Sequence, residues 1–148
     1  MGAIATGFDC GLFVTDLCLR EVGEKAGRSV YALVQPLIYI SRAGERIVVP
    51  EGFQTDLASV PRVPVAWLLW GDRAHREAVL HDYLYRTDAV PAVGFMGANL
   101  LFLEAMKARG VPRHIRWPMF MGVVLGGIFS YHKLPVSHRF FFADELIV

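Results

Sequence analysis

Only two cysteines, Cys10 and Cys18, occur in 148 residues. That is too few for a disulfide framework, and neither has the further Cys or paired His that a zinc site of regular spacing needs. They are expected as free thiols of a reducing compartment. An excess of charge is missing as well. Fifteen Lys and Arg against fourteen Asp and Glu leave a formal net charge of +1, so no overall field draws in nucleic acid or an anionic membrane. Long apolar runs are absent. The longest uncharged stretch, residues 117–131, falls short of the ~20 residues of a membrane span and has Pro118 near its start. Residues 1–20 carry Asp9 and Asp16 and no continuous apolar core, so no signal peptide is expected. Neither a glycine-rich phosphate loop nor a Gly-x-Ser-x-Gly elbow occurs.

What the chain does have is apolar surface. It is 54% hydrophobic, above the usual ~45–50%, which excludes general disorder and leaves a surplus for a partner. The length suits one domain over residues 1–148. Its expected parts are a β-rich half at about 11–50, a motif loop at 50–62, a helical half at 63–130 and a C-terminal arm at 131–148. The arm holds Phe140, Phe141 and Phe142 in succession, which cannot all enter one face.

Phe13, Thr15, Leu17 and Leu19 alternate with Val14, Asp16, Cys18 and Arg20, the period of a half-buried strand. Residues 29–34 and 37–40 are short β-branched and aromatic runs, and Pro36 between them points to an edge or a bulge. Residues 41–45 read as a turn before a strand at 46–49. A small antiparallel sheet or a pair of hairpins is expected. From Pro50 to Arg62 the periodicity vanishes, and Pro50, Gly52 and Pro61 predict a loop without a regular element. Such loops carry function disproportionately. Residues 65–70 follow as a short apolar turn or helix. A largely buried helix is then predicted from 73 to about 86, capped by Asp72, because Val79, Leu80, Tyr83 and Leu84 spread round more than one face. A helix over 96–109 closes at Gly110. A last one starts at Pro112 and reaches towards Phe129, kinked or restarted at Pro118. The order β then α predicts an α+β fold: a small antiparallel N-terminal sheet followed by three to four packed helices.

Two segments concentrate the chemistry: Gly52-Phe53-Gln54-Thr55-Asp56-Leu57-Ala58-Ser59-Val60-Pro61-Arg62 and His81-Asp82-Tyr83-Leu84-Tyr85. A carboxylate on a buried helix, as expected for Asp82, must find donors, a cation or a metal, or take up a proton. His81 and Asp82 point about 100° apart on a helix. A cavity straddling both directions, with Asp56 arriving from the loop, would gather an Asp/His/Asp set. Such a set suits zinc, manganese or iron, or a histidine base oriented by a carboxylate. Asp56, His81 and Asp82 are therefore the candidate catalytic residues and candidate ligands of a divalent metal. A plainer account stands beside this. Asp56, Thr55 and Ser59 cap local N–H groups, Asp82 pairs with Arg62, and His81 is a hydrogen-bonded core histidine. Structural ion pairs produce the same clustering. His75 is expected at the surface, and His114, His132 and His138 lack ligand spacing. Trp67, Trp70, Trp117, Met119 and Phe120 read as core or as a partner surface.

Residues 49–62 and 78–85, continued by Phe102-Leu103-Glu104-Ala105-Met106 and Gly110-Val111-Pro112, resemble the phage- and prophage-associated domain-of-unknown-function family numbered 1353. The resemblance runs from about residue 28 to about residue 125. It marks Thr55, Ser59, Arg62 and Tyr85 as motif residues, and it implies a phage gene of tail or late-gene context with no established activity. In the family an acid usually stands three positions before the Phe at 102, with a basic residue four positions earlier; here those positions hold Asn99 and Phe95. A metal centre of Asp56, His81, Asp82 and that acid would here take Asn99 as a neutral, weaker ligand.

Two functions are then expected. The first is a structural or accessory protein of a phage tail or virion, in the virion or in the host cytoplasm before assembly, held by contacts with other tail or virion proteins or with a second copy. The second is a small metal-dependent hydrolase, acting on the bacterial envelope, in which Asp56, His81 and Asp82 bind the metal or activate water and Asn99 positions it.

Overall fold

The computed structural model describes residues 11–57, 75–129 and 131–137. Among the described residues six strands form two antiparallel sheets. The strands are β1 (Leu12–Phe13), β2 (Leu19–Lys25), β3 (Arg28–Leu33), β4 (Leu37–Ile40), β5 (Arg46–Val49) and β6 (Gln54–Thr55). One sheet has the order β1-β4-β5 and the other β2-β3-β6. Among the described residues three helices follow: α1 (His75–Leu84), α2 (Gly94–Ala108) and α3 (Arg113–Gly127). The α+β class with N-terminal strands is as expected, but one sheet becomes two. The chain crosses between them at Pro36, which has no N–H to give to a ladder. The Thr15 hydroxyl bonds there instead: it donates to the Pro36 carbonyl at 2.9 Å and accepts from the Ile38 N–H at 2.9 Å. This side-chain substitution explains why the alternation of half-buried and exposed residues runs unbroken over 13–20 while regular strand stops at Phe13.

The motif loop is not wholly irregular, contrary to expectation. Gly52, at φ +80°, turns the chain so that its N–H donates to the Leu33 carbonyl at 2.8 Å, and the Leu33 N–H donates to the Phe53 carbonyl at 3.1 Å. Thr55 and Gln54 thereby pair with Tyr31 and Ala32 as strand β6. The loop is anchored on the sheet before it reaches Asp56.

α1 is buried on several faces at once, carrying Ala78, Val79, Leu80, Tyr83 and Leu84 inward, and it packs on β4, β5 and α2. Its predicted start at Asp72, like the 65–70 segment, Ser59, Arg62, Trp67, Trp70, Cys10 and the three arm phenylalanines, lies outside the described residues. α2 closes in a Schellman cap. Gly110 sits at φ +77°, its N–H donates to the Lys107 carbonyl, and the Val111 N–H donates to the Met106 carbonyl, both at 3.0 Å. Val111 and Met106 also share the apolar cluster between α2 and α3. Of the kink or restart expected at Pro118, α3 shows no restart: the helix runs through that residue. At that position the missing N–H would have served only the His114 carbonyl, one turn back. Pro112 is the N-cap rather than the first helical residue. No helix among the described residues is long and apolar enough to cross a membrane.

The β2–β3 hairpin turns through Ala26 and Gly27, at φ +52° and +73°, between the paired Lys25 and Arg28. Positive φ at both central residues is the type I′ pattern, for which Asn-Gly is preferred and Ala is strained by roughly 1 kcal/mol. Ala26→Asn should raise stability by about 0.5 kcal/mol, seen as a higher urea midpoint at unchanged slope. A lower midpoint would contradict the turn.

Candidate functional site

The motif residues 81–86 span the C-terminal end of α1 and the turn that follows it, and they divide between two sides. His81, fully buried, turns towards α2, where its Nε2–H donates to Asn99 Oδ1 at 2.7 Å. The same oxygen accepts the Tyr85 hydroxyl at 2.7 Å. Because Oδ1 only accepts, the imidazole proton sits on Nε2. The rings of Tyr85 and Phe102 lie 4.1 and 5.0 Å from that of His81, centroid to centroid. Burial holds the His81 pKa down at about 4, with the Asn99 bond opposing it, so the ring is neutral. Burial likewise pushes Tyr85 up to about 12. The Tyr85 hydroxyl also reaches the Val123 carbonyl of α3 at 3.5 Å. A Cβ on Gly127 would collide with the Tyr85 ring, whose Cε2 would be 2.9 Å away. Glycine is what lets α3 approach so closely.

Asp82 turns towards the sheet. Its Oδ2 accepts a short hydrogen bond from the Thr55 hydroxyl, which itself accepts the Leu57 N–H at 3.0 Å. Loop and helix thus meet through Thr55, a contact outside the expected Asp56, His81 and Asp82 set. Arg86, one turn on, is buried over the Phe53 ring at 5.1 Å and donates to the Gln54 carbonyl at 3.3 Å. Burial lowers its pKa, while Asp82, Asp56 and Asp88 favour its charged form. Asp56 therefore belongs to the Arg86 side of the helix.

Two residues of weight escaped the sequence reading. Arg86 is the cation among the loop acids. Glu77, four residues before His81 and so on its face of α1, is fully buried with both carboxylate oxygens lacking hydrogen bonds. Arg109 Nε lies 3.5 Å from its Oε1. Burial raises the Glu77 pKa to about 7, against the opposing pull of its own backbone N–H and the charges of Arg109 and Arg76. The i, i+4 spacing to His81 was the available signal. His75 is half-buried at the start of α1.

Among the described residues no group of three or more His, Cys, Asp or Glu is placed to hold a metal ion. Asn99 Oδ1 already takes two donors, and the Asp82 carboxylate meets Thr55 on another face from His81. The described side chains do not form a ligand set.

The fold and the site together define an α+β protein whose central helix is held by a buried His–Asn–Tyr node. Residues 31–123 match the family described as Protein of unknown function (DUF1353), and the chain belongs to that family. No curated protein and no solved structure matches it.

The two buried titrating groups act on stability with opposite signs. His81 sits below its ordinary 6.5 at about 4, so the unfolded chain binds the proton first and stability is lost as pH falls from 6.5 to 4. Glu77 sits above its ordinary 4.5 at about 7; its contribution is complete below 4.5 and is lost as pH rises through 7. Over pH 4.5 to 6.5 the two oppose each other. Glu77→Gln should make stability climb with pH there more steeply than in the parent, and His81→Gln should make it fall. Urea midpoints across that window measure both, and parallel pH profiles for all three proteins would contradict the assignment.

Proposed function

We propose that the protein is a structural or accessory component of a phage tail or virion, in the particle or in the host cytoplasm before assembly, held by contacts with other proteins. The observation that carries this reading is the outer face of α3 and the turn after it. From Trp117 to Phe129 the sequence contains no polar side chain, yet Trp117, Met121, Leu125, Ile128 and Phe129 are exposed. A helix apolar all round is normally covered all round, and an exposed apolar patch of this extent marks an interaction surface. The family resemblance supplies the phage context.

The hydrolase reading draws less support. A general base must come within hydrogen-bond reach of its substrate, whereas the His81 imidazole is enclosed by Tyr85 and Phe102 with its Nε2–H committed to Asn99. Mass spectrometry of purified particles from the encoding phage or prophage should find peptides of this chain at a fixed ratio to the tail proteins. Metal analysis of the native protein should find no stoichiometric zinc, manganese or iron. Absence from particles, together with stoichiometric metal that is lost in Asp82→Ala, would replace this reading with the hydrolase.

A further inference from the structure

We propose that the outer face of α3 is a dimerisation surface that receives the α3 of a second copy of this chain, running antiparallel to it. The proposal names the partner of the surface on which the assembly reading rests, and three observations carry it.

The first is area. Trp117, Met121, Leu125, Ile128 and Phe129 are 48, 50, 64, 61 and 75% exposed. At about 200 Å² for a fully exposed large apolar residue, these fractions leave about 600 Å² bare per copy. Pairing two such faces removes about 1,200 Å² in total, the lower edge of a specific interface. Apart from the Trp117 indole N–H at its edge, the same face presents no side-chain donor or acceptor as far as Phe129, so pairing it with its like buries little that needs a polar partner.

The second is glycine. Gly122 and Gly126 stand four residues apart on the exposed side of α3. A Cβ on Gly126 would meet nothing within 4 Å, so packing within the chain does not require glycine there. Glycine in the interior of a helix, as at Gly122, costs roughly 0.5–1 kcal/mol against alanine. Its use at such a place is close approach by another backbone, and a small-xxx-small pair on a helix face permits that approach to a second helix.

The third is charge, which sets the direction. Residues 105–143 contain six Lys and Arg and no acid. Arg113 and Arg116 stand at the start of α3, and the last turn of α3 holds no basic residue. A parallel pair would set arginine against arginine. The antiparallel pair sets the exposed Arg113 beside the carbonyl end of the partner's helix, where the helix dipole favours a cation; Arg116 is half-buried and donates to the Val111 carbonyl of its own chain at 3.1 Å.

Sedimentation equilibrium of the full chain should give a monomer–dimer equilibrium with the dimer dominant by about 100 μM, the range expected of a small interface. Leu125→Glu should yield a folded monomer by circular dichroism. Leu100→Glu, a control at an exposed apolar site on α2, should leave the dimer intact. Gly126→Leu should weaken association at least tenfold without lowering the urea midpoint of the monomer, opposite responses that a purely internal role for this glycine would not produce. A chain monomeric at every concentration overturns the proposal, as does a dimer indifferent to Leu125→Glu. So does a monomer that floats with phosphatidylglycerol vesicles, because the face is then a lipid contact. The assembly reading fails separately: a monomer found in particles overturns the pairing alone, and a dimer absent from particles overturns the assembly reading alone.

Discussion

A single carbonyl oxygen holds the helical half in register. Asn99 Oδ1 on α2 accepts from His81 on α1 and from Tyr85 just past its end, and Tyr85 carries the connection on to α3 through the Val123 carbonyl and the space over Gly127. In a dry interior each such bond is strengthened, and each partner left unmatched is correspondingly costly. Sliding α2 along α1 by one turn would strand two buried donors. Phe102 and Met106, which share the Asn99 side of α2, set the apolar contacts between α2 and α3 in the same register.

A second polar set fixes the opposite side of α1. Asp82 holds Thr55, and Arg86 holds the Gln54 carbonyl, so both residues of strand β6 answer to the helix. On the other sheet Glu104 of α2 accepts from the Tyr39 hydroxyl at 2.6 Å and from the Arg42 N–H at 2.8 Å. Each sheet is thus tied by hydrogen bonds to a different helix, and α1 lies between the two attachments. This is why His81 and Asp82, adjacent in sequence, do not converge. Each serves a different neighbour, and the angle of about 100° between them is used to separate two contacts.

Features that depend on local chemistry were legible in the sequence. The period-two alternation over 13–20, the break at Pro36, the turn at 41–45 and the Gly110 cap all rest on what one residue or its near neighbours can do. Strand β2 was not legible, because it is an edge strand with Glu21 and Glu24 exposed, and a register shift lies between Glu21 and Gly23. Without a buried stripe there is no alternation to read. The division into two sheets was hidden for a related reason, since the pairing of Tyr31 with Thr55 is a long-range choice that neither segment announces alone. In the site, a meeting of the loop with α1 followed from the motif pair, though the residue expected there was Asp56 and not Thr55. The burial of Glu77 did not, because an acid in an early helical turn ordinarily faces water and favours the helix dipole.

Position 99 shows how one atom pair sets the chemistry open to the node. An amide offers one acceptor oxygen, and both His81 and Tyr85 use it; its Nδ2 is buried without a hydrogen-bond partner. A carboxylate at the same place would give each donor its own oxygen and leave no orphan N–H. It would also bring a negative charge against the imidazole, favouring protonated His81 over the neutral ring found here. The amide therefore trades hydrogen-bond satisfaction for electrical neutrality. With no acid bonded to it, burial alone dominates the His81 proton affinity and keeps the ring neutral at ordinary pH. A node built this way holds α1 and α2 in register.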